Sequence, residues 1–308
     1  MRYDALTVLA VCFCLFLLPG CGSVYAEASD GQGPASPQDA LVHDWADDPI
    51  WHDGKAEIAR YDAVRVIYGQ PRAYTATLYT NKENLDLDTR TKAAGPDAGA
   101  APVVFKHHAR DENIPTPAYA YDFSSMAYVD ADTLGMWKLE VSSQEDCGTT
   151  FKQYWHDGNT LSAFQSSYFP DEGRVETTHD SPSHMVFHDA LPLILRGYPF
   201  EQPLERPMRL NLVVDQTHNH LSASRPRPYA VTYEGRRTLD LPIGTVDAHH
   251  LKVSPVQRDV PPPGGEASHY FFAADGNPPM LHALVQYRGP FGTSYELKSH
   301  ERGMYWAR

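Results

Sequence analysis

The feature that most constrains this chain is a period-two alternation of apolar and polar residues, interrupted at short intervals by turn signals. In Met136 to Ser143, Trp137, Leu139 and Val141 alternate with Lys138, Glu140 and Ser142. In Tyr229 to Glu234, Tyr229, Val231 and Tyr233 alternate with Ala230, Thr232 and Glu234, and Tyr295 and Leu297 alternate with Ser294, Glu296 and Lys298. Successive strand residues point to opposite faces, so the pattern predicts strands with one buried and one wet face. Gly69-Gln70-Pro71, Asp157-Gly158-Asn159, Glu234-Gly235-Arg236 and Asp275-Gly276-Asn277 read as the turns between them. One helix is expected, capped by Asp189, running from Ala190 to Arg196 with Pro192 in its first turn, and ended by Gly197 and Pro199. Leu191, Leu193, Ile194 and Leu195 make it too apolar for a surface helix, so it should plug an open end or face of the sheet. The predicted fold is mainly β: a large curved antiparallel sheet, a half-open barrel, with one short helix packed against it.

The amino end reads differently. Arg2 is followed by an apolar run from Ala5 to Leu18, shorter than the roughly 20 residues a spanning helix needs and suited to a signal-peptide core. It ends in Leu18-Pro19-Gly20-Cys21, which resembles a lipobox. Cleavage before Cys21 and lipidation of its thiol are therefore expected; an ordinary cut after Val24-Tyr25-Ala26 is the alternative. The polar stretch from Gly22 to Asp39, rich in Gly, Ser, Pro and Ala, reads as a flexible tether. The expected organisation is a signal peptide over 1–20, anchor and tether over 21–40, and one β-rich domain over 41–308. Gly22 after the cysteine, rather than Asp, is similar to an outer-membrane address. Asn84 to Pro102 and Ser254 to Ser268 read as long loops.

The net charge of −13 gives no electrostatic reason to bind nucleic acid or anionic lipid heads. Membrane attachment would rest on the anchor. Of four cysteines, Cys12 and Cys14 leave with the signal and Cys21 is lipidated, so only Cys147 stays in the domain. An intrachain disulfide and a CxxC zinc site are both excluded.

Trp51-His52-Asp53-Gly54-Lys55-Ala56-Glu57, Tyr68-Gly69, Ser142 to Thr149 and Asp189-Ala190-Leu191-Pro192-Leu193 resemble an uncharacterised family of exported bacterial β-rich proteins, often lipoproteins. Some members carry a septum-inhibitor (Maf) name. The resemblance spans roughly 45–308 and implies a curved sheet similar to lipoprotein carriers of the LolA and LolB kind. True Maf proteins are α/β nucleotide pyrophosphatases. This chain has neither their βα alternation nor a phosphate-cradling glycine loop. The resemblance implies a fold and carries over no catalytic residue.

Among chemistry-bearing residues Cys147 stands out as a reactive-thiol candidate. Its neighbours Glu145 and Asp146 would raise rather than lower its pKa, and the competing reading is a small buried side chain beside a tight turn. There are 15 His, and His218 and His220 share one face if they lie on a strand, which can begin a metal site. His107-His108, His249-His250 and the His179, His184, His188 group are further candidates. Asp47-Asp48, Glu145-Asp146 and Asp171-Glu172 read as solvated loop charges rather than a glycosidase pair. Trp51, Trp137 and Trp155, with Tyr154, are expected either to line an apolar pocket in the concave sheet or to fill it as core.

The expectation is thus a lipid-anchored envelope protein that binds an apolar, lipid-like ligand or an envelope partner, in the outer membrane and facing the periplasm. No cofactor or nucleic acid is expected, and the alternative is an envelope enzyme using Cys147 or a His cluster. Cys21→Ala should move the protein from the membrane to the soluble fraction of expressing cells. Retention in the membrane would exclude the anchor.

Overall fold

The computed structural model describes residues 37–95, 98–182, 184–214, 216–217, 225–256, 266–277 and 280–306. The signal, Cys21, most of the tether, His218, His220 and the Pro261 to Gly265 run lie outside them.

Long strands follow one another as hairpins. β1 (Ala56–Ile67) and β2 (Gln70–Asp86) meet at Tyr68-Gly69, whose φ values of 52° and 71° suit a two-residue hairpin turn. A short β3 (Thr91–Lys92) folds back on the end of β2. Then come β4 (Val103–Pro115), β5 (Ala120–Asp130), β6 (Met136–Glu145), β7 (Gly148–His156), β8 (Thr160–Ser167) and β9 (Arg174–Asp180). After β10 (Met185–Phe187) the chain enters a helical segment, then β11 (Met208–Val213), β12 (Arg227–Leu241), β13 (Gly244–Pro255), β14 (Ser268–Ala273), β15 (Leu284–Arg288) and β16 (Ser294–Gly303).

All sixteen belong to one sheet, whose order runs β10-β11-β12-β13-β14-β15-β16-β1-β2-β4-β5-β6-β7-β8-β9, with β3 beside β2. The pairing of β1 with β16, Ala56 opposite Gly303, joins the two arms. The sheet does not close: β9 and β10 are its two ends. It curls instead, because Leu139, Tyr154 and Leu161 of one arm share a core with Leu210, Val231 and Leu251 of the other. The predicted mainly β, curved and open sheet with a short helix against it is what forms. One pairing departs from antiparallel: β10 runs parallel to β11. A parallel pair needs a crossover, and the helical segment supplies it.

That segment is a 3-10 turn (His188–Ala190), the helix α1 (Leu191–Ile194) and a second 3-10 turn (Leu195–Gly197). Asp189 does not cap it; it is the second residue of the opening turn, which has no side-chain cap. Pro192 sits in the first helical turn, where its missing N–H costs nothing. Leu191, Leu193, Ile194 and Leu195 are at most 1% exposed, and burying each contributes roughly 1.5–3 kcal/mol. The segment therefore fills the curl rather than covering its surface. Gly197 is required by close approach: a Cβ there would lie 2.8 Å from the Val42 carbonyl oxygen, while Val42 N–H donates to the Gly197 carbonyl.

Two bulges change what alternation predicts. Gly235, read as a turn, lies inside β12 with φ 92° and shifts its register against β13. Between β5 and β6, Val129 faces Met136 and Tyr128 faces Lys138, which leaves Trp137 as the extra residue. Met136 and Leu139 join the inner core, whereas Trp137 packs on the other face with Trp155, Leu85 and Val104.

The helical segment ends on a buried charge. Arg196 donates twice to the Glu57 carboxylate of β1, both side chains being under 5% exposed, and His300 Nε2 lies 3.2 Å from the same carboxylate. Burial would raise the Glu57 carboxyl, but the Arg196 charge and the contacts from His300 and Arg196 outweigh it and hold it well below the usual range. Removing one partner strands the other charge. Arg196→Met should therefore lose about 3–5 kcal/mol at neutral pH in urea unfolding. A depressed carboxyl stabilises above its unfolded pKa of about 4.3 and loses that contribution as pH falls. The gap between parent and variant should narrow in acid; a gap constant with pH would contradict this assignment.

Candidate functional site

The helical segment is short for the curled sheet it occupies. Ten residues of helix span roughly 15–20 Å, whereas the twelve residues of β1 run roughly 40 Å. Beyond the first helical turn a cavity of about 300 Å³ lies within the curl. Arg65, Leu78, Ala109, Asp111 and Phe123 line it from one arm, and Leu212, Tyr229, Val253, Tyr270 and Tyr287 from the other. His188, Asp189 and Pro192 form its helical side. Exposed Glu266 and half-buried Thr217, Pro290 and Thr293 also line it, so it reaches the surface beside them.

Strand parity places the polar groups. On β4, Phe105, His107, Ala109 and Asp111 share one face. Asp111 accepts from the Tyr74 hydroxyl at 2.9 Å and from the Tyr295 hydroxyl at 3.1 Å. Burial first, and then the Asp111 charge, push both phenols above their usual range, so they remain protonated donors. Arg65 reaches Asp111 at 3.5 Å, donates to the Thr217 hydroxyl and lies 4.3 Å over the Phe123 ring. Across the cavity, the hydroxyls of Tyr270 and Tyr287 lie 3.0 and 3.1 Å from His188 Nε2. Tyr295, Tyr287 and Tyr270 form an aromatic arc, with ring centres 5.5 and 5.0 Å apart.

His107 is only 2% exposed, and its Nε2 has no hydrogen-bond partner, while Nδ1 meets the Thr80 hydroxyl at 2.9 Å. Burial, and after it the Arg196 charge, push its pKa down to about 3, so it is neutral at physiological pH.

The pocket expected on three tryptophans lies elsewhere. Trp51 packs against Trp45 and Phe105 near Arg196. Trp137 and Trp155 stack at 6.0 Å on the opposite face of the sheet, because Trp155 follows inward-facing Tyr154 and the bulge turns Trp137 outward. None of the three lines the cavity. Cys147, read as a small buried side chain, is exposed at the β6–β7 turn. Its Sγ meets the Tyr119 hydroxyl at 2.8 Å and Glu145 Oε2 at 3.4 Å. The histidine pairs are separated by the pleat. His108 turns away from His107 to Ser124, His249 stacks on Phe200, and His250 meets His269 at 2.9 Å. Among the described residues no group of three His, Cys, Asp or Glu is placed to hold a metal ion; His218 and His220 lie outside them.

The residues that build the cavity's polar side, Arg65, Tyr74, Asp111 and Tyr295, were missed in sequence. The available signal was Asp111, a carboxylate in phase with Phe105 and Ala109.

No family model matches this chain, and no curated protein matches it. Among solved structures it is similar to the crystal structure of a beta-barrel-like protein of domain of unknown function DUF1849 from Brucella abortus. The two are 10% identical with a TM-score of 0.48, over 80% of this chain and 98% of the other.

His107 and Thr80 together test the accounting of polar groups in the wall. Thr80→Val alone leaves both ring nitrogens of His107 without a partner and should cost about 1–3 kcal/mol in thermal unfolding. Thr80→Val with His107→Leu removes both partners and should recover most of that loss. A double variant less stable than the single one would refute this reading.

Proposed function

We propose that this protein is a ligand-binding module of the bacterial cell envelope, held at a membrane by lipidated Cys21. Its curled sheet would enclose one small, largely apolar molecule. The observation that carries this reading is the cavity of about 300 Å³ bounded by both arms of the sheet and the helical segment. Its volume is at the lower end of the roughly 300–1,000 Å³ of ligand pockets, and about twice the roughly 150 Å³ of an apolar cavity that takes benzene. That suits one short chain or one to two rings. Leu78, Leu212, Val253 and Leu284 offer apolar contact, while the polar groups gather at Asp111 and at His188. This is the usual composition of a site that binds by burial and orients by a few hydrogen bonds.

The site also has a direction. The described chain enters β1 at Ala56, near Trp51 and Arg196, whereas Arg65 and Val66 at the far end of β1 line the cavity. We place the protein in the outer membrane, facing the periplasm. Cys147 lines no part of the cavity, so no observation favours the thiol enzyme.

The neutral two-ring fluorophore 6-propionyl-2-(dimethylamino)naphthalene tests the reading. It should bind the full chain carrying Cys21→Ala at one site. At 100 times its Kd it should add about 2.7 kcal/mol to stability. Ala109→Phe, which puts a ring into the cavity, should abolish binding while the fold persists by circular dichroism. Unchanged binding in that variant would place the probe elsewhere.

A further inference from the structure

Asp111, the carboxylate that gathers the polar side of the cavity, is already engaged. It accepts from the Tyr74 and Tyr295 hydroxyls, and Arg65 lies 3.5 Å from it. Nearer the helical plug one lining group differs. His107 lies on the same face of β4 as Ala109 and Asp111, and all three line the cavity. Its Nδ1 meets the hydroxyl of Thr80, its partner across the ladder to β2, at 2.9 Å. Nε2 stands at the end of the ring farthest from the backbone, so it projects past Thr80 into the curl. There it is buried and has no hydrogen-bond partner. A buried polar atom in that state carries a cost that a bound molecule can remove.

The character of the ring sets what can remove it. Burial, and after it the Arg196 charge, hold the His107 pKa down to about 3, so the ring is neutral, and Arg196 is itself paired with Glu57. The Thr80 hydroxyl can donate to Nδ1 or accept from it, so Nε2 presents either an N–H or a lone pair. A hydroxyl, which donates and accepts, answers both forms. A carboxylate answers only the first and an ammonium only the second, and each would bring a charge into a buried site beside a neutral ring.

We propose that the cavity selects an uncharged molecule bearing a hydroxyl, its hydroxyl against His107 Nε2 and its apolar body among Leu78, Phe123, Leu212 and Tyr229. This rests on the reading of the cavity as a binding site. The volume limits the apolar part to a single short chain or one to two rings, and His107 sets the head.

Displacement of 6-propionyl-2-(dimethylamino)naphthalene from the full Cys21→Ala chain at pH 7 separates the two claims. The competitors are naphthalene, 2-naphthol, 2-naphthoate and 2-naphthylmethylamine, which share one ring system and differ in their heads. 2-Naphthol should displace the probe at concentrations about tenfold below naphthalene, and neither charged compound should do better than naphthalene. Thr80→Val with His107→Leu should cut the naphthol advantage to about twofold or less, whereas Thr80→Val alone, which keeps Nε2, should preserve it. If naphthalene displaces as well as 2-naphthol, or a charged compound displaces best, selection of a hydroxyl is overturned while the cavity reading stands. An advantage that survives the loss of His107 overturns the seat at Nε2. If the probe fails to bind the parent at all, both claims fall. Should the variants not fold, the four compounds on the parent decide the matter alone.

Discussion

The fold depends on a helical segment lying inside a sheet, and on the ion pair that ends it. Arg196 closes the segment on Glu57, the second residue of β1. Beta strand β1 in turn pairs with β16. One interaction therefore ties the middle of the chain to the strand that joins both arms. Replacing such a pair by apolar groups is often neutral, so it is not chiefly a source of stability. What it does is place the segment. Its apolar residues would be buried in many positions along the curl, but the charge is satisfied only where Glu57 is.

Placement has a consequence for function. With Arg196 against Trp45, Trp51 and Glu57, one end of the curl is filled. A segment much shorter than the strands around it then leaves a cavity among the described residues of the other end. The cavity is thus what remains when a short plug is fixed at one end of a long sheet. Its polar groups follow from the same geometry. Asp111, Tyr74 and Tyr295 face inward beyond the plug, where both tyrosine hydroxyls donate to Asp111 and Arg65 lies beside it.

Much of the fold was legible locally. Tyr229 and Val231 alternate in sequence and both face the inner core, and the four apolar residues of the helical segment are buried as their composition required. Local reading failed where a single extra residue changed parity. Trp137 reads as in phase with Leu139, yet a bulge against β5 puts it on the other face. Gly235 reads as a turn because glycine permits positive φ, but that φ serves a bulge within β12. The candidate site was less legible still. Tyr295 meets Asp111 across a separation of 184 residues, and no periodicity reports such a meeting.

Sequence by itself determined the class of structure, since alternation and turn residues act over a few neighbours and leave no choice but strands. It also determined the apolar plug and the expectation of a lipidated Cys21. Tertiary structure alone decided which faces the tryptophans took, that Cys147 is exposed, and where the cavity lies. Those outcomes depend on bulges, on the curl of the whole sheet and on where one buried charge finds its partner, all of which are settled between residues distant in the chain.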